Sequence, residues 1–200
     1  MPERRWVLRS LLGALLATAV PARARADDLE GLFALFAEQG ERRTAFVERR
    51  HSVLFRSPPE ARGTLYFKPP AVLEREVVSP RKEKIRIDAD SVTLRTEGAD
   101  GKTTERKASL TSIPQLADLV LTIRATLAGD LATLRKSYVV VMKQPLPHWR
   151  IELTPIAPID EPSGAGVRQI SMAGDGGEVD RIEFTEASGD RTELLLSPLP

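Results

Sequence analysis

The chain has 200 residues, with 29 Lys and Arg against 28 Asp and Glu, a formal charge of +1 and no cysteine. A balance this near neutral provides no basic field for nucleic acid. Without thiols there are neither disulfides nor thiolate zinc sites.

The first 26 residues read as an export leader. Arg4, Arg5 and Arg9 form a basic start, residues 10–20 an apolar stretch, and Ala24-Arg25-Ala26 a small-x-small cleavage site. The apolar stretch is too short to span a bilayer, and no Cys follows it to carry a lipid. Export with cleavage after Ala26 is expected. Arg4-Arg5 leaves the general and twin-arginine export routes both open. The leader holds five Arg and one Glu, so its removal turns +1 into −3. The remaining residues, 27–200, suit one domain.

Asp27 and Asp28 cap a helix predicted to about Gln39, with Leu29, Leu32, Phe33, Phe36 and Ala37 on one face and Gly40 as its stop. Thr44 to Arg56 reads as an extended run carrying Phe46, His51, Val53 and Phe55, broken by Ser57-Pro58-Pro59. Residues 63–88 hold three short alternating runs. Pro69, Pro70 and Pro80 lie at their ends, because proline cannot donate to a ladder. A hairpin follows around Asp88-Ala89-Asp90, then a turn at 98–101 and a strand from Thr103 to Leu110.

The period then changes. Ile113-Pro114 opens a helix from Gln115 to Ala128 in which Leu116, Leu119, Val120, Ile123 and Leu127 share a face. Gly129 ends it, and Asp130 caps a short helical turn to Lys136. Strands return at 138–143, 149–155, 167–173, 179–187 and 191–197, with glycine-rich turns between the last three. The fold class is mainly β with α: ten or eleven antiparallel strands in one curved sheet, two helices packed on its concave side.

In their order and spacing, GTLYFKPPAVLEREVVSP, IRIDADSVTL, IPQLADLVLTIRATLAGDLATL, HWRIELTP and ISMAGDGGEVDRIEFTEASGDRTELLL resemble the LolA family of periplasmic lipoprotein carriers and their LolA-like relatives. The resemblance covers essentially everything after the leader. It implies an unclosed β-barrel covered by helices, with an apolar cavity for acyl chains, no cofactor, no metal and no catalytic residues. It also implies a monomer. The partners would be an acylated lipoprotein or lipid cargo, an inner-membrane ATP-driven release complex and an outer-membrane acceptor lipoprotein. One departure bears on cargo. Many carriers of the family place an arginine, linked to lid closure, directly before the proline of the segment after the first glycine strand. That position is Pro69 here, preceded by Lys68. The cargo therefore stays open between a lipoprotein and a specialised lipid.

An acyl chain exposed to water costs about 0.8 kcal/mol per methylene, so a chain of about 15 needs on the order of 12 kcal/mol of shelter. Aliphatic contact supplies it without demanding one bound pose. Candidate lining residues are Leu65, Phe67, Leu73, Val77, Ile85, Ile87, Leu94, Trp149, Ile151 and Phe184 from strands. Leu116, Leu119, Val120, Ile123 and Leu127 from the central helix face them, and Met142 adapts to variable shapes. The same residues also suit a filled core. Periodicity tells which side chains point inward, not whether the interior is hollow; the hollow comes from the resemblance.

Other constellations are weaker. His51 and His148 have no metal-ligand spacing. Glu74 and Glu76 share a strand face and read as solvated. Gly174-Asp175-Gly176-Gly177 precedes no helix, so it is a turn and not a phosphate loop. The repeated Glu-Arg-Arg at 41 and 48 suits lipid phosphates, an acidic partner or plain surface. No Gly-x-Ser-x-Gly appears. Carriage of acyl chains from inner to outer membrane is the expected function. A periplasmic lipid-sensing regulatory module on the same fold is the alternative, and an envelope hydrolase comes third.

Overall fold

A computed structural model describes residues 22–98, 100–157 and 166–199. Its strands are β1 (Arg42–His51), β2 (Glu60–Lys68), β3 (Val72–Ser79), β4 (Glu83–Asp88), β5 (Ser91–Glu97), β6 (Thr103–Ser109), β7 (Tyr138–Gln144), β8 (His148–Pro155), β9 (Val167–Asp175), β10 (Glu178–Glu186) and β11 (Arg191–Ser197). They form one antiparallel sheet in the order β6-β5-β4-β3-β2-β1-β11-β10-β9-β8-β7. Within β1–β6 and within β7–β11 each strand pairs with its neighbour in sequence, and these two meanders join where β1 pairs with β11. The sheet does not close: β6 and β7 are its free edges. The chain crosses between those edges through a 3₁₀ turn (Leu110–Ser112) and helices α2 (Pro114–Leu127) and α3 (Leu131–Ser137).

Helix α2 starts on Pro114, whose missing N–H costs nothing in a first turn. It ends before Gly129, which takes a left-handed φ of 73°. A Cβ there would run into the Phe33 carbonyl and lie 2.8 Å from Ala37 Cβ, so the bare glycine lets α1 (Ala22–Glu38) sit tightly on the α2–α3 turn. The Asp130 side chain accepts from the Thr133 N–H at 2.9 Å and caps α3.

Two boundaries differ from the sequence reading. Helix α1 begins at Ala22, not Asp27, because Ala22-Arg23-Ala24-Arg25-Ala26 contains good helix formers and no breaker. Residues 1–21 of the leader lie outside the described residues. Strand β1 stops at His51, not Arg56: Phe55 N–H bonds Ser52 O at 3.1 Å and turns the chain, so Val53 and Phe55 belong to a loop.

Leu29, Leu32, Phe33 and Phe36 of α1 are buried against Trp149, Ile151 and Leu153 of β8 and Ile170 and Met172 of β9. Each such side chain contributes roughly 1.5–3 kcal/mol by burial. Phe36 lies edge-on to Trp149 with centroids 5.3 Å apart, and the Trp149 indole donates to the Gly176 carbonyl at 3.0 Å. Gly174 makes room for that ring, since a Cβ there would come within 2.7 Å of it and overlap the Glu178 carbonyl. On the convex face Glu74 sits between Lys84, at 2.8 Å, and Arg86. Glu76 also meets Lys84, at 3.4 Å, so this carboxylate pair is a cross-strand ion ladder.

Gly174→Ala should lower stability by about 1–3 kcal/mol through overpacking against Trp149, read by urea unfolding; an unchanged midpoint would contradict the tight fit. A second expectation concerns acid. Burial pushes the Glu74 carboxyl up, but hydrogen bonds from Lys84 and Arg86 outweigh it and hold the group below its ordinary 4.5. Its stabilisation is complete above that unfolded value and is lost as pH falls through the lower folded value. The melting-temperature gap between wild type and Glu74→Gln should therefore shrink on acidification below about 4.5. A constant gap would rule this out.

Candidate functional site

Residues paired directly across an antiparallel ladder share a face. One row of pairs runs Phe67–Leu73–Ile87–Val92. The next runs Thr44–Leu65–Arg75–Ile85–Leu94. On the other half, Leu194–Ile182–Met172–Ile151–Met142 forms a comparable row, with Phe184 beside Ile170 and Trp149 beside Gly174. Every strand residue singled out in the sequence thus lies on the face turned toward the helices.

That face is unevenly filled. Trp149 and Ile151 belong to the α1 cluster, with Met142 and Phe184 against it. A separate cluster holds Ile87, Val92, Leu110 and Val120, with Leu73 and Ile85 against it. A domain commonly has one main core with smaller satellites; among the described residues there are a larger cluster and this smaller one. Phe67 and Val77 are buried outside both. Leu65, Leu94, Leu119, Ile123 and Leu127 stay half-exposed. The side chain of Leu116 lies outside the described residues.

A cavity of about 350 Å³ opens between α2, α3 and the β7–β8 edge. Leu121, Thr122, Ala125, Leu134, Tyr138 and Ile156 line it, with Lys136 at its margin. None of the sequence-selected residues is among the described residues that line it. The void sits at the unclosed edge, beside α2 and not beneath its centre.

Polar groups missed in the sequence organise the rest. The guanidinium of Arg42, at the start of β1, donates to Phe36 O at 3.0 Å and Leu127 O at 2.7 Å, the last-turn carbonyls of α1 and α2. Arg124 of α2 donates to Ala89 O at 3.0 Å and to Ala71 O, reaching the β4–β5 and β2–β3 turns. These two arginines fasten α2 to one rim of the sheet. Burial pushes both guanidinium pKa values down. Both Nε atoms are buried without a partner. Each charged hydrogen bond contributes about 1.5–3 kcal/mol, while a buried orphan donor costs about 1–3. The hold is real but modest. A third arginine, Arg75, lies on the concave face, 2.7 Å from Glu48 and 3.4 Å from Glu83, over the Phe46 ring. The signal for Arg42 and Arg75 is strand parity: each shares the inward parity of apolar neighbours, Phe46 in one case, Leu73 and Val77 in the other.

His51 lies 3.9 Å from Glu193 and His148 3.5 Å from Asp175. Among the described residues no group of three or more His, Asp or Glu is disposed to hold a metal, and no helix is long and apolar enough to cross a membrane.

The family model described as outer membrane lipoprotein carrier protein LolA-like matches residues 21–198. No curated protein matches. Among solved structures the chain is similar to a LolA superfamily protein from Nitrosomonas europaea, at 14% identity over 88% of this chain and 94% of that one, with TM-score 0.40. It is similar to an outer membrane lipoprotein-sorting protein domain from Vibrio parahaemolyticus, at 11% over 90% and 93%, TM-score 0.36. It is also similar to Pseudomonas aeruginosa MucB, solved with MucA, at 13% over 88% of this chain but 58% of that one, TM-score 0.41. Likeness at this level says nothing about ligand or partner.

Arg124→Ala should free α2 from the rim. Amide hydrogen exchange should quicken across residues 117–127 while the β8 and β9 amides keep their protection, with a global loss of about 1–3 kcal/mol. Unchanged exchange in α2 would show that the guanidinium does not hold it.

Proposed function

The chain belongs to the LolA-like outer membrane lipoprotein carrier family, and on that premise we propose that it is a non-enzymatic periplasmic carrier of acyl chains. It takes a lipoprotein or a lipid at the inner membrane and delivers it to the outer one. The hydrocarbon lies between α2 and the concave face, reaching it through the gap between α2 and β7.

The observation that supports this most is the divided core. Leu65 and Leu94 on the inner face of the sheet and Leu119, Ile123 and Leu127 on α2 keep solvent access and belong to neither buried cluster. Apolar surface left between two filled clusters is unfavourable in water unless something else covers it. The cavity at the unclosed edge falls within the roughly 300–1,000 Å³ range of small-molecule sites. The Arg42 and Arg124 fastenings suit a helix that must lift, because backbone carbonyls and guanidinium groups can both return to water. Release asks for such a modest hold: a carrier that bound hydrocarbon too tightly could not hand it on.

Lipid extraction and mass spectrometry of protein purified from its own periplasm tests carriage, together with uptake of a fluorescent fatty acid. Bound acyl species and uptake are expected. Leu119→Glu or Ile123→Glu should abolish uptake by placing a carboxylate against the hydrocarbon. Absence of lipid together with absence of uptake overturns the proposal. Uptake that survives in a folded Leu119→Glu variant moves the chain away from α2.

A further inference from the structure

The β1–β2 loop presents three consecutive apolar side chains at its tip: Val53, 98% exposed, Leu54, 83%, and Phe55, 46%. The tip is built, not frayed. Phe55 N–H bonds Ser52 O at 3.1 Å, Leu54 N–H bonds Ser52 Oγ at 3.3 Å, and Arg50 N–H bonds Pro59 O at 3.2 Å across the base. Val53 and Leu54 therefore occupy the two central positions of a turn. Turn chemistry favours Gly, Asn, Asp or Pro there, and neither residue gains packing in return. A single exposed Leu needs no explanation; three in a row on a convex turn do.

The surroundings are basic. Arg49, Arg50, Arg56 and Arg62 lie on the loop and its two stems. Arg81 lies in the neighbouring β3–β4 turn, which the pairing of Arg62 with Ser79 brings alongside. Glu60 is shared by Arg49, at 3.1 Å, and Arg62, at 2.7 Å. Arg50, Arg56 and Arg81 are exposed and have no carboxylate partner among the described residues. The corner is local: farther along the same rim the turns carry Asp100 and Asp190.

The geometry points to a membrane-docking wedge: Val53, Leu54 and Phe55 insert into the interface of an anionic bilayer while Arg50, Arg56 and Arg81 engage lipid phosphates. A convex apolar tip ringed by guanidinium groups matches what an anionic lipid surface offers, an acyl boundary beneath a layer of negative charge. Val53 and Leu54 stand almost free of neighbours, which suits insertion into a fluid layer more than the filling of a shaped pocket. The strand ends place the tip on the rim that also carries the β7–β8 end of the cavity, where Tyr138 pairs with Pro155. That rim is opposite the one fastened by Arg42 and Arg124. Docking at the tip therefore brings the gap beside α2 toward the bilayer. The inference stands whether or not the chain carries acyl groups.

The test is co-sedimentation of the exported protein with vesicles of phosphatidylglycerol and phosphatidylethanolamine, against vesicles of phosphatidylcholine alone. Wild type should sediment with the anionic vesicles and be released by added salt. The Val53→Ser/Leu54→Ser variant should lose roughly tenfold or more in partitioning, the scale expected for burying such side chains. Arg56→Glu/Arg81→Glu should lose a comparable amount on anionic vesicles only. In a Leu54→Trp variant the emission should shift to the blue on adding anionic vesicles, over the constant background of the buried Trp149. Absence of wild-type binding, equal binding by the serine variant, or no emission shift overturns the proposal. So does protection of the tip by a protein partner in place of vesicles. Fatty-acid uptake by the serine variant should be unaffected, which separates failure here from failure of the carrier reading.

Discussion

Strands β1 and β11 meet along seven residue pairs, from Ala45 opposite Ser197 to His51 opposite Arg191. The rest of the architecture depends on that ladder. Without it the chain is two independent meanders, β1–β6 and β7–β11, with nothing to bend them around one space. With it, the curvature of both halves adds up and the inner face becomes continuous. Its register is also exacting. A slip of one residue would turn Phe46 outward and set Val47 and Arg49 against the helices. Because the partners lie at opposite ends of the sequence, the contact is costly to find and comes with a large loop-closure penalty.

Once the ladder has set the curvature, the helices divide the inner face between them. Helix α1 seals one half with a run of large side chains and an edge-on aromatic stack. Helix α2 seals the far corner with Val120. The strip between them belongs to neither. This division follows from lengths: α2 has 14 residues, about 21 Å at 1.5 Å per residue, too short to cover an eleven-stranded sheet. Incomplete cover is thus a property of the element sizes, and the unclosed edge is where the shortage shows.

Most of this layout was legible in the sequence because alternation and helical spacing are local signals. The boundaries of β11 and the stop at Gly129 needed only neighbouring residues. What escaped notice is long-range or depends on exposure. Val53 and Phe55 fall two apart, as strand residues do, so apolar spacing alone extends the run to Arg56; the one local sign of the turn is Ser52, whose hydroxyl accepts from the Leu54 N–H. Arg42 and Arg124 look like surface cations until folding brings carbonyls 85 and 53 positions away to them. The cavity escaped because its lining joins Leu121, Thr122 and Ala125, off the apolar face picked out on α2, to residues of α3 and of two strand ends that only folding brings together. The family resemblance supplied the hollow that spacing could not.

The acceptors that Arg42 and Arg124 use are main-chain carbonyls, which do not titrate. A clasp made with carboxylates would slacken in an acidified envelope and tighten again at neutrality. This one keeps the same strength through such swings, since guanidinium holds its proton far above any physiological value. Whatever lifts α2 must compete for those oxygens directly, by contact or by strain, and cannot rely on acidity as a trigger.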